Sequence, residues 1–209
     1  MGTTLRPSDI TLALRRPARW EGWIPTFSGT GFNVLDPKPE HIRISDIAQG
    51  LAYKFRYGGQ VTPVTPAEHS ILVSTIIETL WPASGKMLAG LLHDACQAYL
   101  QDVQTPVRKF IKVELPCGDI VPWTEMETRL NQAVAKSLGM EPGFWGCVEV
   151  KAANILAVVI EKQQCPVLQR SGSFGLPPVP AEISHLQLQY LPPEEALIAF
   201  LRRYADLKG

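Results

Sequence analysis

The sequence predicts an all-α protein. Apolar residues recur at helical spacing in several segments after residue 44, and capping residues or prolines precede several of these segments. The sequence contains no internal repeat and no low-complexity tract. Because 209 residues are enough to bury one substantial core, residues 1–209 are interpreted as a single domain.

The predicted helices follow an irregular N-terminal segment. Residues 1–40 are rich in Pro, Gly and Thr, which predicts turns and at most one short strand pair. The first helix is predicted to take Ser45 as its N-cap and to stop at the Gly58-Gly59 pair. The second is predicted to open at Thr65-Pro66, since proline is favoured in a first helical turn.

Later segments complete the predicted helical order. The second helix should end near Trp81-Pro82. A third helix is predicted from about residue 85 to Leu100. The later predicted helices are those at about 124–138 and 146–164, and a last one that begins at Pro193. Residues 116–123 are predicted to form a loop, and residues 166–190 an irregular excursion.

Charge and composition narrow the classes of partner. Lys plus Arg and Asp plus Glu both number 20, so no whole-molecule field attracts a polyanion, and nucleic acid is not expected as a main partner. The four cysteines lack CxxC spacing, which favours reduced thiols over a disulfide framework or a structural zinc site. With neither a signal-peptide pattern nor an apolar run of roughly 20 residues, we expect a cytoplasmic chain without a membrane partner. The oligomeric state stays open, and a homo-oligomer is one option.

Two histidines and an aspartate predict a divalent metal site. His69 precedes the adjacent pair His93-Asp94 by 24 residues, and both motifs lie in apolar helical segments. A single buried histidine is usually an ordinary hydrogen-bonded core residue. A buried aspartate is costly unless a cation or donor neutralises it, so the doublet favours a metal. Mixed imidazole and carboxylate ligands indicate Zn, Mn or Co.

Two amides stand near these residues. Gln97 follows His93 by four residues and is predicted to lie on the same helical face, directed at water on the metal. Asn154 is a polar residue within an apolar helical segment. A buried asparagine is compatible with a helix-to-helix hydrogen bond as well as with a metal ligand.

The chain resembles the HD-domain metal-dependent phosphohydrolases, in particular phage dATP triphosphohydrolases and bacterial deoxynucleoside 5′-monophosphatases. The family's His, His-Asp and later Asp match His69, His93-Asp94 and Asn154 in order and spacing. The segment HDACQAYLQDVQTP matches a family motif in which Gln97 takes the place of a glutamate. The segment WIPTFSGTGFNVLDPKPEHIRISDIAQGLAYKFRYGGQ is similar to the N-terminal region of phage-type members, and PPEEALIAFLRRY to their last helix.

The resemblance implies a role for each matching residue. The implied metal ligands are His69, His93, Asp94 and Asn154. Position 97 would orient or deprotonate the attacking water, and Asp102 would assist near the leaving group or the sugar. The implied substrate contacts are Arg56 for phosphate and Tyr57 for the nucleoside, and further cationic candidates for a triphosphate are Arg108, Lys109 and Lys151.

The sequence leads to one principal hypothesis and two alternatives. The principal hypothesis is metal-dependent hydrolysis of deoxynucleoside phosphates, with dATP as the first substrate to test and with activity impaired by the amides at 97 and 154. One alternative is an inactive nucleotide-binding module that serves as a sponge or sensor, and the other is a 5′-deoxynucleoside monophosphatase. Glu149 or Glu161 also remains an alternative to Asn154 as the downstream acid of the motif.

Overall fold

The computed structural model describes residues 21–61, 63–170 and 175–209. These residues are mostly helical, which confirms the prediction that the fold is mainly α-helical. The α-helices are α1 (Ile44–Ala52), α2 (Pro66–Leu80), α3 (Met87–Leu92), α4 (Thr105–Arg108), α5 (Trp123–Leu138), α6 (Val148–Gln164), α7 (Pro166–Arg170) and α8 (Pro193–Lys208). Short 3₁₀ helices occupy Pro39–His41, Arg56–Gly59, Pro82–Ser84, Ala95–Ala98, Phe144–Gly146 and Ala181–Ile183.

Two short antiparallel strand pairs accompany the helices. Strand β1 (Trp23–Ile24) pairs with β2 (Phe32–Asn33), which confirms the predicted strand pair near the N-terminus. Strand β3 (Lys112–Glu114) pairs with β4 (Ile120–Pro122). Residues 116–123 are therefore not a simple loop as predicted, because they include β4 and the first residue of α5.

Helix α2 is the centre of the packing. It contacts α3, α6 and α8, and its apolar side chains Val73, Ile76 and Ile77 are fully buried. Thr65 caps it as predicted, accepting a hydrogen bond from the backbone N–H of Glu68 at 3.1 Å. This position brings residues of α2 next to both α3 and α6. None of the helices among the described residues is both long and apolar enough to cross a bilayer.

Helix boundaries differ from prediction at α1 and α6. The first helix begins at Ile44, with Arg43 rather than Ser45 in the N-cap position, and ends at Ala52, well before Gly58. Helix α6 begins at Val148, two residues later than predicted. Helix α8 begins at Pro193 as predicted.

The largest departure from prediction is the helix expected up to Leu100. Helix α3 ends at Leu92, and the backbone of Asp94 leaves the helical region at φ −102° and ψ 15°. A 3₁₀ helix then covers Ala95–Ala98, with the backbone N–H of Gln97 donating to the carbonyl of Asp94 at 2.9 Å. Since Gln97 is not on a continuous α-helix with His93, the α-helical spacing from which their common face was predicted does not apply here.

Contacts from α1 and from Lys54, two residues after it, account for this tighter turn. The ammonium of Lys54 donates to the carbonyl oxygens of Gln97, Ala98 and Leu100, the last two at 3.0 and 2.7 Å. These carbonyls therefore have a partner in place of continued α-helical hydrogen bonds. Gly50 permits the close approach, because an added Cβ there would lie 2.6 Å from the carbonyl oxygen of Ala98.

Candidate metal centre

His69, His93 and Asp94 come together where α2 packs against the C-terminal end of α3. His69 lies on α2, and His93 and Asp94 directly follow α3. Each residue offers one ligand atom, and these atoms lie within 4.8 Å of one another. His69 is fully buried and His93 is 6% exposed. The group predicted from the sequence therefore exists and could hold a metal ion.

Hydrogen bonds fix the orientation of both imidazole rings. Nδ1 of His93 lies 2.7 Å from the carbonyl oxygen of Gly90, and a carbonyl can only accept, so the proton is on Nδ1. Nε2 of His93 is buried without a hydrogen-bond partner among the described residues, although Asp94 Oδ2 lies 3.4 Å away. An imidazole with Nδ1 bound to an acceptor and Nε2 open is the usual arrangement of a metal-ligating histidine.

His69 repeats this arrangement with a carboxylate. Its Nδ1 donates to Oε1 of Glu161 at 2.6 Å, and its Nε2 lies 3.0 Å from Oδ1 of Asn154. In the neutral ring, the Nε2 lone pair would face the amide oxygen. These two atoms are compatible when a cation lies beside both of them, or when the Asn154 amide turns so that its Nδ2 donates to Nε2. The residues present thus fit a cation held by His69, His93 and Asp94, with Asn154 beside it.

The protonation states of His93 and Asp94 suit cation binding. Burial lowers the pKa of His93, which keeps the ring neutral. Burial alone would raise the pKa of Asp94, but the neighbouring His93, His69 and Arg56 lower it below its ordinary value. A neutral imidazole and an ionised carboxylate are the forms that bind metals.

Glu161 is a buried acid that the sequence suggested only as an alternative to Asn154. It is fully buried and binds the Nδ1 side of His69, while its Oε2 accepts from Arg56 Nε at 3.2 Å and from the hydroxyl of Tyr57. Burial would raise its pKa, but Arg56 and His69 lower the pKa of Glu161 to about 2. Its spacing of seven residues from Asn154, two turns on one face of α6, was the signal available in the sequence.

Arg56 and Tyr57 lie beside the metal group. Burial alone lowers the pKa of Arg56, whereas the Glu161 carboxylate raises it above its ordinary value, so the guanidinium stays charged. Its NH1 lies 3.9 Å from Asp94 Oδ2. Tyr57 has φ +57°, a left-handed conformation that is uncommon for a non-glycine residue and is concentrated at functional sites.

The predicted catalytic residues are Gln97 and Asp102. Gln97 is largely shielded from solvent, and Asp102 is partly shielded. Gln97 is 7% exposed, and its Oε1 has no hydrogen-bond partner in the described part of the chain. Burial raises the pKa of Asp102, while Arg56 opposes the rise and Asp94 adds to it. These charges place Asp102 in the electrostatic environment of the metal group.

A cavity of about 280 Å³ adjoins the metal group. His93, Asp94 and Asn154 contribute to its lining, and the other lining residues include Arg108, Glu127, Asn131 and Trp145. Arg108 is the one predicted cationic contact among its lining residues, and its NH1 pairs with Glu127 at 3.0 Å.

Lys109 and Lys151, the other predicted cationic contacts, are exposed and do not line the cavity. Arg56 and Tyr57 are also outside its lining. A larger depression of about 600 Å³ lies between the β1–β2 pair and residues 115–117, and its lining includes no member of the metal group. The smaller cavity is therefore the one relevant to metal chemistry.

Sequence reasoning missed Glu127, Asn131 and Trp145. Glu127 and Asn131 are four residues apart on α5, so they share one helical face. Nothing in the sequence connects this face to His93, because the contact between α5 and the Ala95–Ala98 turn is tertiary.

The chain purified without a chelator is expected to retain about one divalent transition-metal ion, at lower occupancy than a site with four strong ligands, since three protein ligands form a workable site. Elemental analysis measures this. His93→Ala should abolish the bound metal, and His185→Ala, at an exposed histidine, should retain it. Stoichiometric metal in the His93→Ala protein would contradict this site.

Comparison with known proteins identifies two uncharacterized relatives. A protein of Rhodobacter capsulatus is 33% identical over 192 residues, covering 87% of this chain and 93% of the relative. The protein YfdR of Escherichia coli is 26% identical over 188 residues, covering 88% of this chain and 95% of the relative. No protein-family model matches the chain. The coverage shows that the similarity extends over nearly the full length of each relative.

Proposed function

We propose that this chain, which belongs to the same family as the uncharacterized Rhodobacter capsulatus protein, is an HD-domain phosphohydrolase of deoxynucleoside phosphates. The observation that carries the proposal is the group of His69, His93 and Asp94, in which both imidazole rings are buried and Nδ1 of each ring is bound to an acceptor. The order and spacing of these residues, which resemble the HD motif, support the finer assignment.

The proposed ligands are His69, His93 and Asp94, with Asn154 as a neutral fourth contact. A divalent cation such as Zn, Mn or Co supplies Lewis acidity when bound and lowers the pKa of coordinated water toward neutrality. Asn154 is a weaker ligand than the aspartate it replaces in the motif, because its carbonyl oxygen carries no charge.

Arg56 and Asp102 have distinct proposed tasks. The Nε of Arg56 is bound to Glu161, and its NH1, 3.9 Å from Asp94, is beyond hydrogen-bond distance of that carboxylate. NH1, which faces Asp94 without a hydrogen bond to it, is therefore the nitrogen proposed to hold a phosphate oxygen beside the metal group. Because burial raises the pKa of Asp102, this carboxyl is suited to carry a proton to the leaving oxygen.

A nucleotide-binding module is the second candidate. It is favoured by the amide at position 97, because an amide cannot accept the proton that a carboxylate would take from water. Such a module would use the metal group and the proposed Arg56 contact to retain a nucleotide without hydrolysing it. The monophosphatase alternative differs from the principal proposal only in the number of phosphates that the site accepts.

The decisive experiment compares this chain with the Gln97→Glu/Asn154→Asp double variant. We expect the double variant to hydrolyse at least one deoxynucleotide in the presence of Mn, Co or Zn, and this chain to do so more slowly. Triphosphate released from dATP identifies a triphosphohydrolase, and phosphate released from dAMP identifies a monophosphatase.

His93→Ala, added to the double variant, is the matched control and should remove all activity. A double variant that leaves every deoxynucleoside mono- and triphosphate intact would refute the enzymatic proposal. Calorimetry of this chain then separates the second candidate: nucleotide binding without hydrolysis supports the module, and the absence of binding rejects it.

A further inference from the structure

A further cavity, of about 270 Å³, lies between α2, residues 186–191 and α8. Most of its lining is aliphatic, and these lining residues are Ile71, Leu72, Leu186, Leu188, Leu191 and Ala199. None of the described residues that line it also lines the cavity beside the metal group. It is therefore a separate cavity, and the proposed hydrolysis does not use it.

Glu68, in the first turn of α2, is the one ionisable side chain among the described residues of this lining. It is 6% exposed, and its Oε1 accepts from the backbone N–H groups of Gln189 and Tyr190 at 2.5 and 2.9 Å. Its Oε2 is buried and has no hydrogen-bond partner within the described ranges. A buried carboxylate oxygen without a partner costs free energy, which a cationic donor on a ligand would recover.

Hydrogen bonds fix the non-helical wall of the cavity. Tyr190 has φ +54°, a left-handed conformation that is uncommon for a non-glycine residue. Its hydroxyl donates to the carbonyl oxygen of Gln164 at 2.9 Å. The Gln164 side chain donates to the carbonyl oxygen of Leu186 at 2.9 Å and accepts from the backbone N–H of Leu188 at 2.7 Å. Such backbone strain persists only where surrounding contacts hold it, and it is concentrated at sites that clamp ligands.

The lining determines which class of ligand is favoured. An anion would be repelled by Glu68, and a metal ion would need several more oxygen or nitrogen ligands than this mostly aliphatic lining offers. An ammonium group can donate a charge-assisted hydrogen bond to a carboxylate oxygen. The aliphatic side chains would bury an apolar body attached to it. Because the volume is below that of ordinary drug-sized pockets, the ligand must be small.

We infer that this cavity is a binding site for a small primary amine with an apolar body, whose ammonium group donates to Oε2 of Glu68. The site is distinct from the metal group, and the inference does not depend on the proposed hydrolysis. A bound amine would lie against α2, the helix that carries His69.

Three ligands with alkyl chains of similar length test the inference: n-hexylamine, n-hexanol and hexanoate. Ligand-observed NMR at pH 7 measures their dissociation constants, and a chelator in the buffer prevents the amine from coordinating a metal. We expect n-hexylamine to bind about 10-fold more tightly than n-hexanol, because hydrogen bonds between charged groups are stronger than those with a neutral donor. Hexanoate should not bind, since its carboxylate would face Glu68. This comparison requires no variant.

Variants then assign the preference to its residue. Glu68→Gln removes the charge but retains a side-chain oxygen that can accept from the backbone of residues 189 and 190, and it should abolish the preference for the amine. Glu195→Gln, at an exposed position of α8 outside the lining, should retain it. Ala199→Leu should weaken the amine and the alcohol alike by filling the cavity.

Several results would overturn the inference. These are equal binding of n-hexylamine and n-hexanol, no binding of the amine, tighter binding of hexanoate, and a preference for the amine that survives Glu68→Gln. Unchanged affinity for the amine in the Ala199→Leu protein would also overturn it, because the ligand would then lie outside this cavity.

Discussion

Glu161→Ala is expected to lower the free energy of unfolding by about 3–5 kcal/mol, because it breaks a buried charge network. Glu161 is fully buried and accepts from His69, Arg56 and Tyr57. Without it, the one ion pair of Arg56 left among the described residues would be the longer one to Asp94, at 3.9 Å. Urea denaturation of the metal-free proteins measures the change. Glu149→Gln, on the same helix but half-buried, should change stability by less than about 0.5 kcal/mol.

A second replacement separates the structural role of Glu161 from its effect on the metal. Glu161→Gln retains the shape of the side chain but can donate to His69 Nδ1, which would move the ring proton to Nε2. We expect metal affinity to fall about 10-fold to 100-fold, as for other losses of a carboxylate partner behind a ligating histidine. Unchanged metal affinity in a folded Glu161→Gln protein would show that Glu161 does not orient the ring.

Local signals in the sequence were sufficient to predict most of the helices and the three central residues of the candidate site. Thr65 and Pro66 mark the start of α2, and Pro193 the start of α8, because capping and first-turn preferences act over a few residues. His69 and the His93-Asp94 pair lie close together as expected. His69 is on α2, His93-Asp94 directly follow α3, and these two consecutive helices pack together.

Long-range contacts account for what the sequence did not predict. The break after Leu92 depends on hydrogen bonds from Lys54 to carbonyls more than 40 positions away, and on the absence of a side chain at Gly50. The pairing of His69 with Glu161 joins residues 92 positions apart. Periodicity and capping describe neighbours along one helix, so they do not reveal which distant side chains meet.

Position 97 carries an amide where the motif has a glutamate, and its surroundings decide what a carboxylate would do there. Gln97 is buried, and its Oε1 has no partner within the ranges described. A glutamate at this position would place a carboxylate in a site where an uncompensated charge is costly. It would be stabilised by a nearby cation, and in the proposed mechanism it would accept a proton from water.

Gln97→Glu alone is therefore expected to raise the rate of nucleotide hydrolysis by about 10²–10⁴-fold, the usual contribution of a general base. The metal-free variant should unfold at a lower temperature than this chain, and added metal should restore much of the difference. Initial rates with dATP and dAMP, together with thermal unfolding with and without Mn²⁺, measure both effects. Asn154→Asp should raise metal affinity more than it raises the rate at saturating metal, and Gln97→Met should produce no gain in rate. A Gln97→Glu protein that binds the metal but hydrolyses no faster than this chain would exclude position 97 as the site of the missing base.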